Sequence, residues 1–287
     1  SDPLWGGHRE YFWFAMNVTL PASFSGMPVE LEVQTGREEP REKGEEWGWD
    51  ATNPQFTAFV NGRLVQGLDI NHRDLLLTEC GVPGQTFQIV LSAFTGDYNP
   101  MLKLDCRLKA LDRMVEKYFY DLQVPYKILR VLEREDKLYL DMVRILNQSL
   151  ELVDFRCPQS TEFHASIQAA DEFLEERYYR VYERRSTVKA YCVGHTHIDV
   201  AWKWTLEVTR DKALRSFSTV LELMRRYPAY RFMSSQPQLY KFVQGQMPEQ
   251  FERIRDVVAQ GRWEPEGAMF LEADVVLTSG ESLVRQI

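Results

Sequence analysis

The chain has 287 residues, 44% of them hydrophobic and 26% charged, which excludes disorder and leaves enough apolar side chain for one large or two ordinary cores. Its 34 Lys and Arg against 42 Asp and Glu give a net charge of −8, with no basic block beyond short pairs such as Arg225-Arg226. Nucleic acid and anionic membrane are disfavoured as partners on that balance. No apolar run approaches the roughly 20 residues that cross a bilayer, and the N-terminus lacks a charged-then-apolar signal, so a cytoplasmic protein is expected. Cys80, Cys106, Cys157 and Cys192 are widely spaced without a CxxC pair and read as free buried thiols.

In chain order, residues 1–107 read as a β domain. Tyr11 to Leu20, Val29 to Val33, Phe56 to Val60, Arg63 to Val65, Leu75 to Thr78 and Phe87 to Phe94 are short runs rich in Val, Phe, Leu and Thr, divided by Gly and Pro. Asn61-Gly62 between two of them signals a type I′ hairpin. The pattern predicts an all-β sandwich of jelly-roll type. Arg37 to Asp50, dense in charge and Gly before Asn53-Pro54, reads as a long loop, with Trp47 and Trp49 either packed beneath it or offered to a sugar.

Residues 108–186 read as a helical connector. Leu111, Met114, Val115, Phe119 and Leu122 recur at three and four residues, and Leu138 to Leu150 and Ile167 to Leu174 continue the period. Alternating charges such as Glu133-Arg134-Glu135-Asp136-Lys137 suit a solvated face.

From 187 to 287 the order becomes strand, helix, strand, helix, strand. An apolar run from Val188 ends in His195, His197 and Asp199. Thr209 is expected to cap a helix carrying Leu214, Phe217, Val220, Leu221 and Met224. Tyr230 to Ser234 follows as a strand, Pro248 to Gln260 as a helix stopped by Gly261, and Gly267 to Ala273 as a strand ending near Asp274. Such alternation predicts the first part of a parallel α/β sheet, whose ligands bind beyond the carboxyl ends of the strands. In an extended chain His195, His197 and Asp199 share a face. His197 and Asp199, joined by Asp274 from a distant strand end, offer nitrogen and oxygen donors that zinc accepts.

The strings His195-Thr196-His197-Ile198-Asp199-Val200-Ala201-Trp202, Arg262 to Asp274 and Leu277 to Gln286, in that order and spacing, resemble glycoside hydrolase family 38, the retaining α-mannosidases, in its bacterial and cytosolic branch. The resemblance implies that the α/β part is the start of a distorted-barrel catalytic domain. It also implies that His197, Asp199 and Asp274 bind Zn2+, that Asp274 is the nucleophile forming a mannosyl-aspartate, and that Trp202 stacks beneath the mannose ring. Mannose-containing oligosaccharides are the implied substrates, and a homo-oligomer through the sandwich is an implied assembly. His195 is expected to support the site, Glu272 to accept a sugar hydroxyl or a salt bridge, and Glu281 to cap the helix that follows. Val276 departs from the family's Asn two residues after the nucleophile. The family's fourth zinc ligand and its general acid have no counterpart up to Ile287, so the expectation is a truncated chain, inactive alone. Two other classes compete: a zinc-water hydrolase such as a carbohydrate deacetylase, and a non-catalytic carbohydrate-binding or assembly module.

Overall fold

Side chains that alternate in and out along Tyr11 to Thr19 set the first sheet, because a pleated strand turns successive residues to opposite faces. In the computed structural model, residues 4–34, 55–69, 71–96, 101–185, 187–202, 204–267 and 269–287 are described. The loop with Trp47 and Trp49 lies outside them.

The N-terminal strands are β1 Trp5–Gly6, β2 Tyr11–Thr19, β3 Val29–Val33, β4 Gln55–Val60, β5 Arg63–Leu68, β6 Asp74–Thr78, β7 Thr86–Phe94, β8 Met101–Leu102 and β9 Cys106–Ala110. Four of them form an antiparallel sheet in the order β2-β7-β4-β5, and a second sheet runs β6-β3-β9. Their inner faces share one core, in which Val29, Leu31 and Val33 join Phe56, Ala58, Ile89 and Leu91. Trp5 presents its edge to Phe12 and Phe14 at 5.4 and 5.1 Å. Asn61 and Gly62 both take positive φ, 50° and 77°, as the predicted type I′ turn between β4 and β5 requires.

Residues 110–191 form a compact helical unit of their own. It comprises α1 Arg113–Ile128, α2 Lys137–Glu151 and α3 Thr161–Leu174, the last running through a π-turn at Glu175–Tyr179 into α4 Arg180–Arg185. Asp112, Asp136 and Ser160 cap the first three by accepting from backbone amides. Tyr118, Met142, Ile145, Phe163, Ile167 and Leu174 fill the unit's core. The helical period expected from Leu108 begins later, because Leu108 belongs to β9 and packs on the sandwich core instead. The thiols are free as expected but mostly not buried: Cys80, Cys157 and Cys192 are exposed. Only Cys106 is partly covered, and burial, with Asp105 adding to it, pushes its thiol up to about 11.

Residues 192–287 form one compact unit with residues 1–109. They contain β10 Gly194–His195, α5 Leu206–Arg226, β11 Phe232–Met233, α6 Pro237–Gln246, α7 Pro248–Ala259, β12 Trp263–Glu264 and α8 Gly280–Val284. The strands pair in parallel in the order β10-β11-β12, so the predicted alternation holds with much shorter strands. Helix α5 lies against β5, where Gly67 and Thr219 exchange hydrogen bonds of 3.2 and 3.3 Å. A buried ion pair joins Arg226 to Glu30 at 2.7 Å.

Three local expectations are corrected, and one helix is added. Thr205, not Thr209, caps α5, its hydroxyl accepting from the Val208 amide at 3.3 Å. Helix α6 is the added element, and Pro237 at its first turn is its start signal. Residues 269–273 form no strand, because the amides of Phe270 and Leu271 turn to the backbone and side chain of Gln286; Trp263 and Glu264 supply the third strand. Ser279 caps α8, and Glu281 instead pairs with Arg285 at 2.8 Å.

Candidate functional site

Beyond β10 the side chain of Ile198 is buried, which turns its neighbours His197 and Asp199 to the opposite side. Nε2 of His197 lies 3.0 Å from Asp199 Oδ1, and Nδ1 lies 2.9 Å from Glu272 Oε2. Glu272 also accepts from the Ser235 hydroxyl. The buried Gln236 ties these segments together: its side-chain amide donates to Ile198 O at 3.1 Å, and its carbonyl oxygen accepts from the Glu272 amide at 3.4 Å. Gln236 does this with φ at +65°, a left-handed conformation that costs a non-glycine residue energy and is held by its surroundings. The segments leaving β10, β11 and β12 thus meet beyond the carboxyl ends of a parallel sheet, where such sheets place their ligands.

A second knot fixes the loop that carries Asp199 and Trp202. The fully buried Thr209 hydroxyl accepts from the Ala201 amide at 2.9 Å and from Trp204 Nε1 at 3.1 Å, and donates to Thr205 O at 3.2 Å. Ala201 sits at φ +58°, so the loop turns sharply just before Trp202, which is 51% exposed. Trp204 meets Trp202 edge-on at 5.7 Å, and Lys212 Nζ stands 4.3 Å over the Trp204 ring. Burial, reinforced by Arg215, pushes the Lys212 ammonium down to about 8. Lys212 and Arg215 line a cavity of about 400 Å³ together with His195, His197 and Trp204.

The structure brings His197, Asp199 and Glu272 together. It leaves Asp274 exposed in a turn of its own, where Oδ1 accepts from the Val276 and Leu277 amides at 2.8 and 3.1 Å. His195 lines the cavity without joining the cluster. In kind, the donors fit a zinc ion: an imidazole nitrogen beside a carboxylate oxygen. Asp199 and Glu272 engage opposite nitrogens of one ring and so do not converge on a point, and among the described residues no group of three His, Cys, Asp or Glu side chains has metal-holding geometry. His197 and Asp199 thus stand as a hydrogen-bonded pair, with Glu272 on the other ring nitrogen of the imidazole. Ser235 and Gln236 join the site beyond the expected residues, and the polar string Ser234-Ser235-Gln236 at the end of a strand, before the helix-starting Pro237, is the sequence signal of that position.

Residues 187–287 match the glycosyl hydrolases family 38 N-terminal domain. The chain is 31% identical to human alpha-mannosidase 2C1 over 288 residues, covering 96% of this chain and 26% of that protein. It is 30% identical to alpha-mannosidase G of Dictyostelium discoideum over 214 residues, 75% of this chain and 18% of that protein. An alpha-mannosidase of Saccharomyces cerevisiae is 37% identical over 118 residues, 40% of this chain and 11% of that protein. The chain therefore spans about a quarter or less of the length of these relatives. The segment 187–287, which holds the His197–Asp199 pair, is therefore a glycosyl hydrolase family 38 N-terminal domain.

Proposed function

We propose that the protein is a retaining, zinc-dependent α-mannosidase acting on terminal α-linked mannose of oligosaccharides. The observation that carries this reading is the His197–Asp199–Glu272 cluster at the ends of parallel strands, within a segment shared with proteins named alpha-mannosidases. His197, Asp199 and Asp274 are assigned as the zinc-holding residues. A bound zinc ion supplies Lewis-acid polarisation and a template for sugar hydroxyls. On the same reading residues 1–107 are a jelly-roll sandwich, 108–186 a connector, and 187–287 the opening of a distorted-barrel catalytic domain. No helix among the described residues is long and apolar enough to cross a membrane. A cytoplasmic location and a homo-oligomer joined through the sandwich remain part of this proposal.

The chain's own residues divide the work. Glu272, fixed by Ser235 and by the Gln236 bridge, holds Nδ1 of His197 and so sets which ring nitrogen faces Asp199. Trp202, exposed on a loop pinned by Thr209, offers a flat apolar surface to the C–H face of a pyranose. Asp274 attacks the anomeric carbon from the face opposite the leaving group. The glycosidic C–O bond breaks as the ester bond to Asp274 forms, and water later cleaves that ester with net retention. The leaving oxygen takes its proton from a carboxylic acid.

Trapping tests this directly. Full-length protein treated with a fluorinated mannosyl fluoride and digested should yield a peptide labelled on Asp274, and His197→Ala should lose zinc binding in titration. Zinc-dependent turnover with no adduct, or with the label elsewhere, would overturn the assignment in favour of zinc-bound water as the nucleophile.

A further inference from the structure

The outer face of the four-stranded sheet carries an aromatic hollow that the proposed mannosidase chemistry does not use. Register shapes it. Trp13 of β2 lies opposite Ser92 of β7, which lies opposite Thr57 of β4; two residues along, Tyr11, Phe94 and Gln55 form the next row of that face. Small hydroxyl side chains beside large rings leave a depression of about 210 Å³. Trp13 is 66% exposed at its side, leaning on Phe59 at 6.2 Å, while Tyr11 and Phe94 pack at 4.7 Å. Trp13, Tyr11 and Phe94 together give the depression a contiguous aromatic lining, the kind of surface that marks a ligand-binding groove.

The rim is polar and fixed. Glu207 and Asp211, one turn apart on α5, line the hollow, and the Tyr11 hydroxyl donates to Asp211 Oδ2 at 2.8 Å. Gln55 accepts from the guanidinium of Arg215, itself buried. Covering this rim with an apolar protein surface would strip water from two carboxylates without replacing its hydrogen bonds. The two carboxylates outnumber the one guanidinium of Arg215 in the lining, so the rim also disfavours an anion. A flat ring with an apolar C–H face and hydroxyl donors around its edge satisfies floor and rim together.

We propose that this hollow, which His197 and Asp199 do not line although it shares Gln55 and Arg215 with the cavity beside them, binds one pyranose residue of a neutral oligosaccharide. The site would hold a glycan on the sandwich irrespective of what is cleaved, so it stands or falls independently of the mannosidase reading.

Tryptophan fluorescence and calorimetric titration of the full chain with mannotriose and with maltotriose provide the test. Saturable binding to at least one of them is expected. Trp13→Ala should weaken it tenfold or more, Trp13→Phe should retain part of it, and His197→Ala should leave it unchanged. Equal affinity of wild type and Trp13→Ala, loss of binding in His197→Ala, or no saturable binding of either sugar by the wild type would each overturn the proposal. The retained binding of Trp13→Phe separates loss of a stacking surface from loss of the fold.

Discussion

At the scale of single residues, neighbours orient His197 and shift the charge state of Lys212. Lys212 is the clearest case: desolvation first, and the Arg215 charge second, lower its ammonium from 10.5 to about 8 in the folded protein. Between those values the unfolded chain holds a proton that the folded chain has released, so this residue's contribution to stability rises with pH across that window. Below about 8 the folded state carries the full cost of a buried charge. Lys212→Met is therefore expected to flatten the rise of stability between pH 8 and 10.5 and to raise the urea midpoint at neutral pH. An unchanged pH slope in the variant would show that another group governs that range. His197 and Asp199 were legible in the sequence as a two-residue repeat that faces one way. Gln236 and Thr209 were not, because a lone polar residue reveals nothing of the backbone atoms it will reach across 38 or 8 positions.

At the scale of elements, α5 is the hinge of the organisation. One side of it buries Ala213, Phe217 and Leu221 with Trp263 and Ile254, and it also packs along β5 of the sandwich. That close approach depends on Gly67, where an added Cβ would meet Arg215 Cβ at 2.8 Å and its backbone oxygen and Cα at 3.1 and 3.2 Å. Because those are backbone and near-backbone atoms, little can swing aside. Gly67→Ala is expected to destabilise the protein by about 1–3 kcal/mol, as overpacking of a close interface does, measured by urea unfolding at constant m. An unaltered midpoint would mean that α5 shifts without cost. The strands of the sandwich were readable from period-two runs and from Asn61-Gly62. The strand misplaced onto 267–273 shows the limit of that signal: an apolar run there satisfies its amides on Gln286 instead of on a neighbouring strand.

At the scale of the whole molecule, the chain divides into two compact units, one over residues 1–109 and 192–287 with a sandwich core and an α/β core, and one over 110–191 with a helical core. The helical unit has its own internal polar lock, in which Ser149 lies 3.0 Å from the Tyr118 hydroxyl and donates to Ala170 O at 2.9 Å. Removing it leaves buried groups unpaired, at about 1–3 kcal/mol. Scanning calorimetry of Ser149→Ala is expected to lower one of two unfolding transitions and leave the other in place. A single transition moving as a whole would show instead that the units unfold together.

The sequence by itself determined the β-then-helical-then-alternating order, the hairpin at Asn61-Gly62, the strand-end pair His197 and Asp199, and the family resemblance of 187–287. These are local properties, set by side-chain period, turn chemistry and short motifs. Only the tertiary structure decided that Glu272 grips the far nitrogen of His197, that Gln236 bridges two loops, and that α5 lies on the sandwich beside the hollow of Trp13. Each of those joins residues distant along the chain. Their geometry follows from how buried donors find acceptors and how sheets and helices close around their cores, which no local pattern encodes.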